Sequence, residues 1–316
     1  MATSKSGAKA KSTAAKKTTA KRSNQAKTST TKSSTKVTTK PVAVKKSVFK
    51  KATGEPNFPA IIIAEVFGTF ALTAVALLTL QDIGALYVGL TLALAVLVVG
   101  GVSGAHINPA VTFGLWSARK LKLSLVPVYW VSQFVGAILA ILLLGMINGS
   151  GYPLDFAHFT SLSWGVLVAE LVGTAVFLFG LVAVVSNDKL QNLGKAFGIG
   201  LSLTIGLLIA GGALSTLQSA KYADYQSQQS QQLSAESNSE AATIPSELYI
   251  KGATLNPAIA LAATEHTESQ LSQMAASDDE PHYSRLGLET ILGTLAGAAL
   301  GANLYLLLAY VSRQQN

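Results

Sequence analysis

Two copies of one eight-residue segment contain the residues of this chain whose types and spacing could do chemistry. Gly-Ala-His-Ile-Asn-Pro-Ala-Val at 104–111 aligns with Gly-Ala-Thr-Leu-Asn-Pro-Ala-Ile at 252–259. Asn is a preferred N-cap of helices and Pro suits the first helical position, so each copy predicts the start of a helix. Such a tip carries unpaired N–H groups and about half a positive charge, which favours a neutral hydrogen-bonding solute over a cation. The two candidate tips consist of Asn108, Pro109 and Ala110 and of Asn256, Pro257 and Ala258.

The helix that each tip begins is too short to cross a bilayer. The two segments, 104–118 and 252–264, are mainly apolar. A helix from Asn108 to about Ala118 would be about 16 Å long, which is about half the thickness of the hydrocarbon core. Two half-helices that enter from opposite faces would therefore meet tip to tip at the midplane.

A second matched segment precedes each copy and contains a carboxylate. Ala-Glu-Val-Phe-Gly-Thr at 64–69 aligns with Ala-Glu-Leu-Val-Gly-Thr at 169–174, so Glu65 and Glu170 occupy equivalent positions. A buried carboxylate needs hydrogen-bond donors, and an ionisable group inside a membrane span is a functional candidate by default. From the residues alone, this pair could serve as structural hydrogen-bond acceptors or as a proton relay.

Six apolar runs recur along the chain at the length of about 20 residues that a bilayer requires. Backbone in hydrocarbon must satisfy its own hydrogen bonds, so these runs predict transmembrane helices. In the last run, the spacing of Gly293, Gly297 and Gly301 predicts the close approach of a neighbouring helix. The runs cover residues 60–80, 84–102, 126–146, 164–185, 196–213 and 286–310.

The spans and the short segments form two repeats, at 58–148 and 163–312. Each repeat reads as span, span, short Asn-Pro-Ala segment and span. Because three spans is an odd number, the repeats must insert in opposite senses, as an inverted repeat about an axis in the membrane plane. The predicted fold class is therefore an all-α membrane protein, with one domain at 56–316.

The amino-acid composition argues against a soluble enzyme. The 316 residues are 49% hydrophobic and only 13% charged, against about 25% charged in a typical soluble domain, and the mean hydropathy is +0.41. There is no cysteine and there are four scattered histidines, which gives no thiol nucleophile and little material for a metal cluster. We expect no catalysis, no cofactor and no metal.

The charge is divided unevenly between a tail and a body. Residues 1–54 hold 15 of the 24 Lys and Arg residues and no acid, whereas residues 55–316 hold 9 basic and 16 acidic residues. A Lys/Thr/Ser/Ala-rich segment cannot bury enough apolar area to fold, so residues 1–55 are predicted to be a disordered basic tail. Either the tail is a solvated extension that sets topology, or it contacts anionic lipid or nucleic acid.

The distribution of Lys and Arg between the spans predicts the orientation, because basic connections stay in the cytoplasm. Asp82, Asp155 and the acidic stretch 265–280 fall on the opposite, outer side, with a Gln/Ser-rich insertion at 214–250 that we expect to be mobile. Both termini are therefore predicted to be cytoplasmic. The basic connections contain Arg119, Lys120, Lys122, Lys189, Lys195 and, at the end of the chain, Arg313.

At 58–312 the chain resembles the aquaporin, or major intrinsic protein, family. The resemblance rests on AEVFGTF, SGAHINPAVTFGLW, Gln133 opening QFVGA, AELVGT and the second Asn-Pro-Ala, and its pattern is closest to bacterial water channels. It implies an aquaporin-like fold of six tilted helices plus two half-helices, with one pore per protomer and a homotetrameric assembly in the cell membrane. It also implies that Asn108 and Asn256 donate hydrogen bonds to the permeating oxygen, and that Glu65 and Glu170 accept hydrogen bonds from nearby loop backbone.

One part of the chain departs from the family pattern. In water channels of the family an Arg directly follows the second Asn-Pro-Ala, and here that position is Ile259. Family spacing assigns Val88, Ala253 and Leu207, or Gly206 if the alignment slips by one residue, as the other members of the constriction. This set has no aromatic residue, histidine or cation. The resemblance thus implies a passive channel for water and small uncharged solutes such as glycerol, with ions excluded by size and by the tip dipoles.

Two other classes of function are compatible with parts of the sequence. A secondary transporter can also use inverted repeats and broken helices, but it would need charged midplane ligands, for which only Glu65 and Glu170 are available. A membrane-anchored protein could instead act through its basic tail at 1–55.

Overall fold

The computed structural model describes residues 56–79, 84–149, 154–234, 243–272 and 281–314. The predicted tail at 1–55 and part of the predicted insertion, at 235–242, lie outside these described residues. Within them the chain is helical, apart from two isolated bridges between Asp155 and Tyr283 and between Thr264 and Ser284. The long helices are α1 (Phe58–Leu78), α2 (Gly84–Val99), α4 (Val126–Asn148), α5 (Trp164–Ser186), α6 (Asn192–Ser234) and α9 (Leu288–Gln314).

The six predicted spans correspond to these six long helices. Five of them are long and apolar enough to cross a bilayer, and α2 is a shorter apolar helix of 16 residues. The predicted second run extended to 102, but α2 ends at Val99 because Gly100 and Gly101 follow it and open the loop to the first short segment.

The helix starts follow local capping chemistry. The Asn57 side chain accepts a hydrogen bond from the Ala60 N–H at the start of α1, with Pro59 in the first turn. The two short segments begin in the same way, at Pro109 and at Pro257. They form α3 (Pro109–Ser117) and α7 (Pro257–Ala262), joined later by the five-residue α8 (Glu268–Ser272).

Helix pairing follows the two repeats. In the first repeat α1 packs on α4 and α2, and in the second repeat α5 packs on α9 and α6, while α2 and α6 join the repeats. Gly136 of α4 lies against the Val66 carbonyl of α1, and Gly297 of α9 lies against the Leu171 carbonyl of α5. Since Val66 and Leu171 each directly follow the matched glutamate, these two contacts are equivalent in the repeats.

The predicted fifth span ended at 213, but the helix does not end there, and the described start of the predicted insertion is helical. Helix α6 continues unbroken to Ser234 and is 43 residues long. No Gly or Pro lies between 213 and 234, and Ala, Leu, Gln and Lys favour a helix. The Gln218 amide also donates hydrogen bonds to the Glu247 and Ile250 carbonyls, at 3.0 and 2.6 Å. These contacts tie the extension to the segment that precedes α7.

The glycines of α9 allow close packing, as predicted. At Gly297 and Gly301 a Cβ atom would collide with the Leu171 and Ala175 carbonyl oxygens of α5. We expect Gly301→Ala to lower the thermal midpoint of the detergent-solubilised protein, because backbone oxygen cannot yield as a side chain can. Gly212→Ala is the matched control, since nothing lies within 4 Å of its Cβ position and Ala is favoured over Gly in a helix by about 1 kcal/mol. Equal shifts in the two variants would contradict this packing account.

Candidate functional site

The tips of the two half-helices contact each other through their asparagines. Each Asn side-chain oxygen caps its own helix, accepting from Ala110 N at 2.7 Å and from Ala258 N at 3.0 Å. The amide nitrogens cross over: Asn108 Nδ2 donates to the Leu255 carbonyl at 2.8 Å and Asn256 Nδ2 to the Ile107 carbonyl at 3.2 Å. An Asn amide has two N–H groups, so each crossing leaves a second donor on each tip.

The residues before the two asparagines have left-handed backbone. Ile107 and Leu255 both have φ of 49°, and this conformation costs a residue with a Cβ roughly 1–2 kcal/mol. Both side chains are fully buried. The left-handed turn accompanies a carbonyl that accepts from the opposite Asn, so the strain belongs to the junction of the half-helices.

The matched glutamates hold these strained residues in place. Glu65 Oε2 accepts from Ile107 N at 2.7 Å, and Glu170 Oε2 accepts from Leu255 N at 2.9 Å. Glu65 also accepts from Ser103 Oγ at 2.6 Å and Gln133 Nε2 at 2.8 Å. Both carboxylates are fully buried, so the loops supply the donors that a charge in this position needs.

Three further bonds to the glutamates come from the residues just before the strained positions. Glu65 Oε1 accepts from His106 N at 3.0 Å. Glu170 Oε1 accepts from Thr254 N at 3.0 Å and from Thr254 Oγ1 at 3.2 Å. Each carboxylate therefore binds two successive backbone N–H groups of a non-helical loop.

The matched glycines beside the glutamates make room for the apolar side chains of the same loops. A Cβ at Gly68 would lie 2.7 Å from Ile107 Cγ2, and one at Gly173 would lie 2.8 Å from Leu255 Cδ2. The Glu-x-x-Gly pattern thus supplies two things to each loop: a carboxylate for its N–H groups and a groove for its side chain. The sequence pointed to the glutamates but not to this role of the glycines.

The four residues assigned to the constriction line one cavity. Val88, Leu207, Ala253 and Ile259 all face a cavity of about 720 Å³ beside the second half-helix. Val88 and Ile259 are themselves buried, at 6% and 5% exposure. The four positions that the sequence indicated as apolar therefore lie on the wall of a single cavity.

Two cations that sequence reasoning did not assign to the site line the same cavity. The first, Lys251, donates to Thr264 Oγ1 at 3.1 Å; partial burial lowers its pKa, and the Glu265 carboxylate partly offsets that effect. The second is Arg285, which is 2% exposed. The sequence offered one signal for Arg285, which is its position in the chain. It is the only arginine between 120 and 312, and it lies on the side predicted to be acidic.

We expect Glu65→Gln to destabilise the protein by about 3 kcal/mol, because an amide cannot accept at both of its terminal atoms and two or more buried N–H groups lose their partner. Glu268→Gln is the control, because Glu268 is exposed. Thermal unfolding followed by circular dichroism, in detergent, measures both. A Glu65 variant as stable as the control would mean that the carboxylate does not hold the loop.

Within the described residues, no group of three or more His, Asp or Glu residues could hold a metal ion.

The comparisons with known proteins agree on a family. The family model for the major intrinsic protein matches residues 58–219. Aquaporin Z of Photorhabdus laumondii is 33% identical over 175 residues, which are 47% of this chain and 75% of that protein.

A probable aquaporin TIP1-2 of rice (Oryza sativa subsp. japonica) is 34% identical over 126 residues, 39% of this chain and 50% of that protein. The chain thus spans about half the length of the first plant relatives that it matches. Since plant and bacterial relatives match at similar identity, the predicted closeness to bacterial water channels is supported only loosely.

Among solved structures, an aquaglyceroporin from Plasmodium falciparum superposes with a TM-score of 0.46 at 23% identity, over 78% of this chain and 93% of that one. The family model covers half of this chain, and its range contains the first Asn-Pro-Ala segment and both matched glutamates. The chain therefore belongs to the major intrinsic protein family and is a multi-pass membrane protein with the aquaporin fold.

Proposed function

We propose that this protein is a passive channel that conducts water and small uncharged solutes such as glycerol and excludes ions. The observation that carries the proposal is the reciprocal crossing of Asn108 and Asn256 onto the Leu255 and Ile107 carbonyls. It brings the donor-bearing tips of two oppositely inserted half-helices to one point. A solute oxygen passing this point meets fixed N–H donors on both sides.

The same geometry opposes cations. Pro109 begins α3, a helix of nine residues whose N-terminus carries a partial positive charge. The Asn side chains present N–H groups to the lumen in this proposal, because their oxygens are used as helix caps. Donors and dipole ends stabilise a neutral acceptor, and they raise the energy of a cation that has lost its water.

The wall of the cavity supports passage of solutes larger than water. Val88, Leu207, Ala253 and Ile259 present only hydrocarbon, so they neither bind a hydroxyl group nor contribute a charge. These four side chains can then discriminate between neutral solutes only by size. We therefore include glycerol among the solutes.

The outer surface of the helices supports a place in the bilayer and an assembly of several copies. Large apolar side chains such as Ile63, Leu94 and Met146 are 69%, 61% and 82% exposed, which suits lipid or neighbouring protomers. The homotetramer, the plasma or inner membrane location and the cytoplasmic placement of both termini are part of the proposal. The mainly basic connections support that orientation.

The contacts of the two glutamates argue against the transporter alternative. Glu65 and Glu170 each accept hydrogen bonds from two successive loop N–H groups, so they are engaged in holding backbone rather than presented to a substrate ion. This supports the structural role over the proton relay. Contact of the tail at 1–55 with anionic lipid or nucleic acid is a separate proposal, based on its charge alone.

Replacing either asparagine by aspartate is expected to reduce water flux at least about tenfold, since an acceptor replaces the donor that faces the solute and adds a negative charge. Osmotic shrinkage of proteoliposomes in a stopped-flow instrument measures the flux. Asn187→Asp is the control, because Asn187 is an exposed residue at the end of α5.

Variants Asn108→Asp and Asn256→Asp that insert normally and conduct like the wild type would refute a pore at this junction. A parallel sample lacking residues 1–55 tests the anchor alternative. We expect unchanged water flux from it, because no tail residue belongs to the proposed pore.

Ile259→Arg is expected to lower glycerol flux more than water flux, by about tenfold relative to water, because the guanidinium narrows the cavity and fixes five donors on its wall. Ile259→Leu is the matched control, since it preserves hydrocarbon and volume. Glycerol and water permeabilities are measured on the same vesicles. A wild type that rejects glycerol, or an unchanged ratio in the Arg variant, would show that Ile259 does not line the constriction.

A further inference from the structure

We infer that Arg285, which precedes α9, supplies the cation-excluding guanidinium of the channel wall that Ile259 does not provide. This inference rests on the proposed channel function. Arg285 belongs to the segment before α9 and Ile259 belongs to α7, yet both residues line the same cavity of about 720 Å³.

The backbone of Arg285 is fastened to the end of the second half-helix. Its N–H donates to the Ala263 carbonyl at 2.8 Å, and the preceding Ser284 hydroxyl donates to the Leu261 carbonyl at 3.0 Å. Helix α7 runs from Pro257 to Ala262 and contains Ile259. The position of Arg285 is therefore set by the same short helix that begins with the second Asn-Pro-Ala.

Only part of the guanidinium is used by the protein. Nη1 donates to Glu289 Oε1 at 3.1 Å and to Thr290 Oγ1 at 2.6 Å. Nη2 lies 3.5 Å from Glu170 Oε1 as an ion pair. Nε and Nη2 are buried and make no hydrogen bond among the described residues. Both nitrogens are buried out of reach of solvent, so the guanidinium acts on the cavity through its charge rather than through a hydrogen bond to a solute.

A comparison of the two repeats shows that the loop does not require an arginine. In the first repeat, Glu65 is held by the neutral amide of Gln133 at 2.8 Å. The equivalent contacts of Gly136 and Gly297 with α1 and α5 place Thr294 at the position that corresponds to Gln133. The Thr294 hydroxyl donates instead to the Thr290 carbonyl, at 2.7 Å.

The second repeat thus has a full positive charge beside its glutamate, where the first repeat has a neutral donor. A purely structural partner for Glu170 could have been an amide, as it is for Glu65. The second repeat also buries Glu289 beside the guanidinium, so the charge on Arg285 balances two carboxylates, and its place on the cavity wall puts this balance next to the cavity.

The charges around the cavity determine what the loss of Arg285 would do. Arg285 contacts two carboxylates, those of Glu170 and Glu289. With the guanidinium present, its positive charge offsets the negative charges of the two carboxylates that it contacts. Without it, two carboxylates remain near the cavity and would attract cations, because electrostatic effects in such a space are weakly screened.

The test is sodium leak and water flux in the same proteoliposomes, with an entrapped sodium-sensitive dye. We expect Arg285→Gln to raise the ratio of sodium leak to water flux at least about tenfold over the wild type. Arg313→Gln is the matched control, since it makes the same change at an exposed position near the end of α9, the helix that Arg285 precedes. Adding Ile259→Arg to Arg285→Gln should restore sodium exclusion, because it returns a guanidinium to the same cavity.

A second variant covers the case in which Arg285→Gln fails to fold because Glu289 has lost its partner. Arg285→Gln combined with Glu289→Gln removes both members of that pair and should still leak sodium, since Glu170 remains. Unchanged sodium leak with retained water flux in either variant would overturn the inference, and so would a leak that Ile259→Arg does not reverse. A wild type that conducts no more water than empty vesicles would instead overturn the proposed channel function.

Discussion

The structure depends on one constraint: backbone that leaves the helical state inside a membrane must find hydrogen-bond partners within the protein. Two loops of non-helical backbone lead into the half-helices in the interior of the protein. Glu65 and Glu170 resolve the problem in both repeats, because a single carboxylate can accept from several N–H groups at once. Two buried charges are tolerated because the donors that surround them are otherwise unsatisfied.

The rest of the junction follows from these two anchors. Once its N–H is bound to a carboxylate, the residue before each Asn turns its carbonyl toward the opposite half-helix, at the cost of left-handed backbone. Its side chain needs space, which Gly68 and Gly173 provide one turn along the helices that carry the glutamates. The asparagines then join the two halves. Each repeat thus contains the same connected set of features. These are a carboxylate that binds the loop, a strained residue before the Asn, a glycine that makes room for its side chain, and an Asn that binds the opposite half-helix.

The two copies of this set of features differ in charge. Gln133 supports the first glutamate and Arg285 lies beside the second, so only the second glutamate has a guanidinium beside it. The asymmetry coincides with the cavity that Val88, Leu207, Ala253 and Ile259 also line. An inverted repeat can therefore join its halves symmetrically at the centre and still differ in charge on one side. The same cavity lies where α6 is tied, through Gln218, to the segment before α7.

The sequence by itself determined the features that depend on neighbouring residues. The apolar runs, the capping residues at the half-helices and the matched glutamates could all be predicted, because hydropathy and capping act over a few positions. Helix propensity also predicts the continuation of α6 to Ser234, although the change to polar composition at 214 suggested that the helix ends there. Tertiary structure alone decided that Arg285 lines the cavity beside Ile259 and that Asn108 binds the Leu255 carbonyl. Such contacts arise from the packing of elements far apart in the chain, and no local pattern encodes which distant side chains share a space.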